Sequence, residues 1–294
     1  MIVNSLLNAH GLHWARTACL RFLLLLPMLL VVVAGRKRLG NLVAALCRLP
    51  WVFLLWGNLG FGGYYALLVY ATRFLPSWLV MAAFMTTIVI GILLSPLIYN
   101  DHRAVVPRRA LAFGFLPLSY LGLMELDQLQ HLQYSWLAVS GLLLAVGAAV
   151  LWPLSNRMLL LKLEGKGLSL DPLQRSLGMT IGSLPVLIAL GTYAWLQAGP
   201  PVELQWLSSL TAAFLSGLVG CVLFFKALSL THRQPMAMAA VEATQVLMIF
   251  FTLLGESIVR SLRTPGPWAI TGMIGIVLTL GTYIFQTVGK ISSD

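Results

Sequence analysis

Charge is the scarcest commodity in this chain. Of 294 residues only 10% are Asp, Glu, Lys or Arg, and nine are acidic. A soluble domain carries about a quarter of charged residues, so a water-exposed globular fold is excluded. Cysteine is nearly absent as well. Cys19, Cys47 and Cys221 are far apart, which excludes a disulfide framework and a zinc-ligand spacing, and they are expected as small core residues. No HExxH, no G-x-S-x-G, no phosphate-binding loop and no intramembrane Asp pair occurs, and the five histidines fall in loops or at the ends of apolar runs. An enzyme would therefore need a site these motifs do not supply. Any uphill transport must draw on an ion gradient or a counter-substrate, and neither cofactor nor metal is expected.

What is present is apolar length. Hydrophobic residues make up 59% of the chain, in runs of roughly 17 to 25 residues, each able to cross a hydrocarbon core about 30 Å thick. Spans are expected at 16–34, 51–71, 76–98, 109–126, 135–156, 175–197, 206–229, 234–256 and 267–287. Backbone groups find no water in lipid, and the runs are too long and too uniformly apolar for barrel strands, so all are expected to be helices. The first run is preceded by Arg16, interrupted by Arg21 and followed by Arg36-Lys37-Arg38, which fits a retained span rather than a cleaved signal peptide.

The net charge of +10 is spread in short clusters between spans, a topological pattern rather than a nucleic-acid patch. Arg36, Lys37, Arg38, Arg48, Arg103, Arg108, Arg109, Arg157, Lys162, Lys166, Arg175, Arg233 and Lys290 fall in one alternate set of connections. Arg16, Arg73, Arg260 and Arg263 fall in the other. Thirteen against four places the first set and the C-terminus in the cytoplasm.

Internal repetition is visible too. The stretch Gly57 to Leu94 runs as a Gly-rich helix, a turn with Pro76 and a second apolar helix, and Ser216 to Leu254 repeats the plan around Pro235, with Ala71 matching Ala227 ahead of Arg73 and Arg233. Two similar halves are expected, 1–128 and 129–294. Two helices precede the second copy but only one precedes the first, so one helix is expected to be missing at the start. Met1 to Trp14 read as a helix-to-helix connection.

Several segments in order carry a family resemblance. They are Leu20-Arg21-Phe22 with Pro27, the run Gly57-Asn58-Leu59-Gly60-Phe61-Gly62-Gly63 followed by Tyr64-Tyr65-Ala66, Leu177 to Pro185, Phe225-Lys226-Ala227-Leu228, and Val241-Glu242-Ala243-Thr244-Gln245 with Leu254-Gly255-Glu256. Across nearly its whole length the chain resembles the drug/metabolite transporter superfamily (EamA-like), specifically its multidrug resistance efflux branch. The resemblance implies an all-α polytopic membrane protein built from two inverted five-helix repeats around a central cavity, here with nine of the ten helices. It implies export of small cationic or amphipathic compounds, an inner-membrane location and compatibility with a homodimer.

Glu242 is the first candidate for chemistry. About nine residues from the turn near Arg233, it lies roughly 14 Å deep, where a carboxylate is expensive unless paired, protonated or facing water. Such a group can carry a proton and attract a cation; a structural ion pair is the competing reading. Lys226, near 10 Å deep on the preceding helix, is placed either to pair with Glu242 or to snorkel to the interface. Arg21 offers a fixed positive charge to an anionic group or to Glu242, unless it too snorkels. Gln245 shares the Glu242 helix face at i+3 and completes a polar site or a helix contact. Tyr64 and Tyr65, with Trp56 and Trp78, either line a cavity suited to cation–π contact or anchor span ends. Gly57, Gly60, Gly62 and Gly63 permit close helix contact, while Glu256, Glu125 and Asp127 belong to the outer face.

The leading expectation is a secondary transporter of alternating-access type with protons as coupling ion at Glu242. A carrier for an amino acid, amine or nucleotide precursor is the alternative within transport, and a non-transporting membrane subunit the alternative outside it.

Overall fold

The computed structural model describes residues 12–100, 136–231 and 247–260, with isolated positions between 119 and 122 and between 267 and 278. Every regular element among the described residues is helical. Four of these helices are long and apolar enough to cross a bilayer, or five when one bent pair is taken as a single span. The protein is an integral membrane protein.

The first span, α1 (Trp14–Gly35), shows why lipid is its solvent. Ala15, Ala18, Phe22, Leu25, Leu29 and Val33 are buried, a stripe at helical spacing that meets the other helices. The opposite face is just as apolar, with Val31 71% exposed, which only a hydrocarbon surround makes favourable. Lys37, in the left-handed region at φ 55, reverses the chain into a short helix, α2 (Leu39–Arg48). At ten residues, roughly 15 Å, it is too short to span, and it packs by Leu42 and Ala45. Its Cys47 is exposed, not a core residue, whereas Cys19 is buried.

Helix α3 (Pro50–Ala71) opens on a proline at its first turn, where the missing N–H costs nothing. It widens into a π-helical turn over Asn58–Gly63. After the Pro76 turn come α4 (Ser77–Phe84) and α5 (Thr87–Ile98), separated where the Thr86 hydroxyl donates to the Ala83 carbonyl at 2.7 Å. Helix α6 (Trp136–Glu164) is 29 residues long, about 43 Å. It continues through Arg157 and Lys162 instead of leaving them in a connection as expected, and Arg157 donates to Ser95 Oγ on α5 at 2.6 Å.

Helix α7 (Pro172–Gly182) is started by a capping box. Asp171 accepts from the Gln174 backbone, and the Gln174 side chain accepts from the Asp171 N–H. Asp171 also pairs with Arg38 at 3.0 Å, and Gln174 Nε2 donates to the Arg38 carbonyl, so the cap ties α7 to the turn before α2. Helix α8 (Leu184–Ala198) follows at a bend of 49°, caused by Pro185, which cannot donate back to the preceding turn. Helix α9 runs over Glu203–Ala212, passes through a π-helical turn at Ala213–Val219 and continues over Gly220–Thr231. Helix α10 (Leu247–Arg260) is the last described element.

Two apolar clusters hold these helices together. One joins α4 to the end of α3, to α6 and to α10; the other joins α1, α3, α6, α7 and α8. Trp51 and Trp136 are 78% and 89% exposed at helix starts, the position in a span where interfacial tryptophans concentrate. The expected span at 109–126, most of 267–287 and the first half of 234–256 lie outside the described residues.

Candidate functional site

The glycines of α3 determine how closely helices approach around the site. A Cβ on Gly57 would come within 2.6 Å of the Met179 carbonyl, one on Gly182 within 2.0 Å of the Phe53 carbonyl, and one on Gly60 within 2.4 Å of Ser155 Cβ. Backbone therefore lies on backbone where α3 crosses α7, and α6 seats against the π turn. Within that turn Asn58 accepts the Val186 N–H through Oδ1 at 3.1 Å and donates to the Leu54 carbonyl through Nδ2. The amide group that the Pro185 bend frees in α8 is thereby satisfied from α3.

Above this seam the rings converge. Phe22 of α1 packs on Phe61 and Tyr65 of α3 at centroid distances of 5.5 and 5.2 Å. Phe61 stacks on Trp152 of α6 at 5.8 Å, and Trp152 meets Tyr64 at 4.8 Å. Tyr64 lies beside Tyr65 at 6.1 Å and also touches Phe84 at the end of α4. Phe22, Phe61, Trp152, Tyr64 and Tyr65 thus form a closed circuit of aromatic contacts.

Arg21 adjoins that circuit. Its guanidinium lies 4.5 Å over the Tyr65 ring and 5.7 Å from the Phe22 centroid, and it donates to Ser216 Oγ in the π turn of α9 at 2.9 Å. Its Nε is buried with no partner among the described residues. Among the described residues the cation is therefore held by rings and by the Ser216 and Tyr65 hydroxyls, between a helix from each sequence half.

Arg21, Tyr64 and Tyr65, three residues singled out from the sequence, are brought together. Lys226 is exposed on α9, ten residues past Ser216 and about 15 Å further along that helix, so it is not in the Arg21 layer. Glu242 and Gln245 lie outside the described residues. Trp78 is fully enclosed in the apolar cluster around α4 rather than lining a site. An open, mostly apolar groove of about 480 Å³ between α3 and α6, lined by residues such as Tyr70 and Leu143, does not include the charged residue.

Arg16 corrects the sequence reading most clearly. Read as a loop charge, it is a buried residue of α1, 5% exposed. It donates to Gln205 Oε1 at 2.9 Å and to the Ala194 carbonyl at 3.2 Å, and it also bonds the Gly199 carbonyl. These are acceptors at the end of α8 and the start of α9, so the guanidinium caps one helix and docks another. The partners lie nearly two hundred residues away, and no local signal announces them. His13, just before α1, faces Tyr193 edge-on at 5.3 Å. Partial burial, then Arg16 and Arg73, hold its pKa below the usual imidazole value.

The described residues thus form a polytopic helical membrane protein with a cation beside an aromatic cluster where its helices converge. The comparison with known families makes this specific. The profile described as "EmrE: Putative multidrug resistance efflux transporter" matches residues 1–289, and the chain belongs to that transporter family. It is 32% identical over 295 residues to the "Uncharacterized protein YjlA" of Bacillus subtilis (strain 168), covering 97% of this chain and 90% of that protein. It is also 32% identical over 255 residues to an "Uncharacterized 42.1 kDa protein" of Shouchella clausii, covering 83% of this chain and 65% of that one. One solved crystal structure shares the fold with a TM-score of 0.63 at 15% identity, covering 97% of this chain and 94% of the other.

Proposed function

We propose that this protein is a secondary active efflux transporter that moves small amphipathic compounds across the bacterial inner membrane by alternating access. The observation that carries the reading is the Arg21 site, where the aromatic circuit and a π turn of α9 meet within the membrane. Family membership agrees with it. A site walled by rings and bearing one fixed charge suits a solute with an apolar body and a charged end.

The architecture in this reading is nine spans in two inverted halves, 1–128 and 129–294, with the C-terminus in the cytoplasm. One feature supports related halves: aligning Ala71 with Ala227 carries the π turn Asn58–Gly63 onto Phe214–Val219, inside the second π turn at Ala213–Val219. Glu242 serves as the proton carrier, with Gln245 on its own helix face and Lys226 on the preceding helix as its polar partners. Glu242→Gln is then expected to fold normally and to lose proton-driven flux in proteoliposomes while retaining exchange. Proton coupling equal to wild type in that variant removes Glu242 from the mechanism.

A dedicated metabolite carrier is the second reading. It is favoured by Arg21 itself, because a positive charge in the wall does not suit a general exporter of cations.

A further inference from the structure

Two arginines stand five residues apart on α1, and their surroundings differ in kind. Arg16 has its donors met by a side-chain amide and two carbonyls, the arrangement of a structural cation. Arg21, seven residues and about 10 Å into the same helix, is given the Ser216 and Tyr65 hydroxyls, the face of Tyr65 and the edge of the aromatic circuit. Its buried Nε–H donates to nothing among the described residues. A guanidinium offers five donors in a planar fork and stays charged in a membrane interior. Among the described residues the Ser216 and Tyr65 hydroxyls and the Tyr65 ring face meet part of that capacity and leave the buried Nε–H without an acceptor.

We infer that Arg21 and the adjoining rings form a substrate subsite that recognises a carboxylate joined to a flat apolar body, such as an aromatic acid. The inference rests on the transporter reading above and narrows it. A carboxylate is the planar partner that the guanidinium fork bonds with two parallel N–H···O contacts. An aromatic body attached to it can rest against Tyr64, the partly exposed ring beside the enclosed Tyr65 and Phe22. Ser216 holds the fork from the other half of the sequence, so filling the subsite couples α1 to α9. A monoanion matches the guanidinium charge, and among the described residues the titratable neighbours of Arg21 are Tyr64, Tyr65 and Cys221, none of which competes with an anion while protonated.

The test uses the purified full chain and three probes of one shape, benzoate, benzamide and benzylammonium, with binding followed by calorimetry. Benzoate is expected to bind the wild type at least about tenfold more tightly than benzamide, as one charge-assisted contact warrants, with benzylammonium weakest. Arg21→Gln should abolish the preference for benzoate over benzamide. Arg21→Lys, which keeps the charge but loses the fork, should keep a reduced preference, and this second variant separates recognition from a general loss of fold. Equal or absent binding of benzoate and benzamide by the wild type overturns the inference, as does a benzoate preference that survives Arg21→Gln. Proton-driven flux of a lipophilic cation without benzoate binding removes the subsite and leaves the transporter standing. Benzoate binding without flux of any probe keeps the subsite and removes the transporter.

Discussion

The two π-helical turns have the same backbone geometry and opposite surroundings. In α3 the turn Asn58–Gly63 is enclosed: Gly60, Phe61 and Gly62 are buried, Ser155 presses on Gly60, and Val186 lies against Gly62. In α9 the turn Ala213–Val219 buries only Ala213 and Gly217, while Phe214 and Leu215 are 48% and 57% exposed. A π turn therefore does not itself fix a helix in place; its neighbours do. In α3 the glycines turn the wide coil into a clamp that grips α7 and α6. In α9 the same coil meets α1 mainly through the flexible end of Leu25 and through Ser216.

The comparison can be broken most directly at Gly182, which faces the clamp from α7. Alanine there puts a Cβ 2.0 Å from a backbone oxygen, which no rotamer change relieves, so Gly182→Ala should destabilise the protein by about 3 kcal/mol or more. Thermal unfolding in detergent reads this, and an unchanged midpoint would mean that α3 and α7 are not held in backbone contact. Asn58→Ala comes next. It strands the Val186 N–H at the bend and should cost about 1–2 kcal/mol; Asn58→Asp, which retains the acceptor, should recover part of it in the same assay. The smallest effect belongs to the α9 turn. Gly217→Ala meets only the methyl ends of Leu25 at 2.9 and 3.1 Å, and a rotamer shift together with the better helix propensity of alanine should leave the change under about 1 kcal/mol. A loss as large as that at Gly182 would erase the distinction between the two turns.

Much of the fold is legible in the composition. Apolar runs place α1, α3, the α4–α5 pair, α7–α8 and α9 to within a few residues, because lipid leaves backbone groups no alternative to helix. The break at Pro185 is missed, since 175–197 is expected as one unbroken span, and its partner Asn58 is missed too, since one Asn in a Gly-rich run gives no sign that it satisfies an amide 128 positions away. The end of α6 is illegible for a different reason. Arg157 and Lys162 count as loop charges under a hydropathy rule, yet a helix can project beyond the bilayer and carry them. At the candidate site the sequence singles out Arg21, Tyr64 and Tyr65 as unusual residues for a span. It does not single out Phe61, Trp152 or Ser216, which are ordinary in composition and become informative only through the contacts that close the ring and hold the cation.

The Arg16 bonds have a mechanical consequence. They tie the start of α1 to the end of α8 and the start of α9 at one edge of the protein, so α1 and α9 are joined like two arms at a common pivot. A swing of about 10° around that point would shift Arg21, five residues along, by only ~1 Å, while carrying Val33, roughly 26 Å along the axis, by ~4 Å. Near the pivot, the carboxylate subsite would barely feel a movement that opens or closes the far end of the bundle.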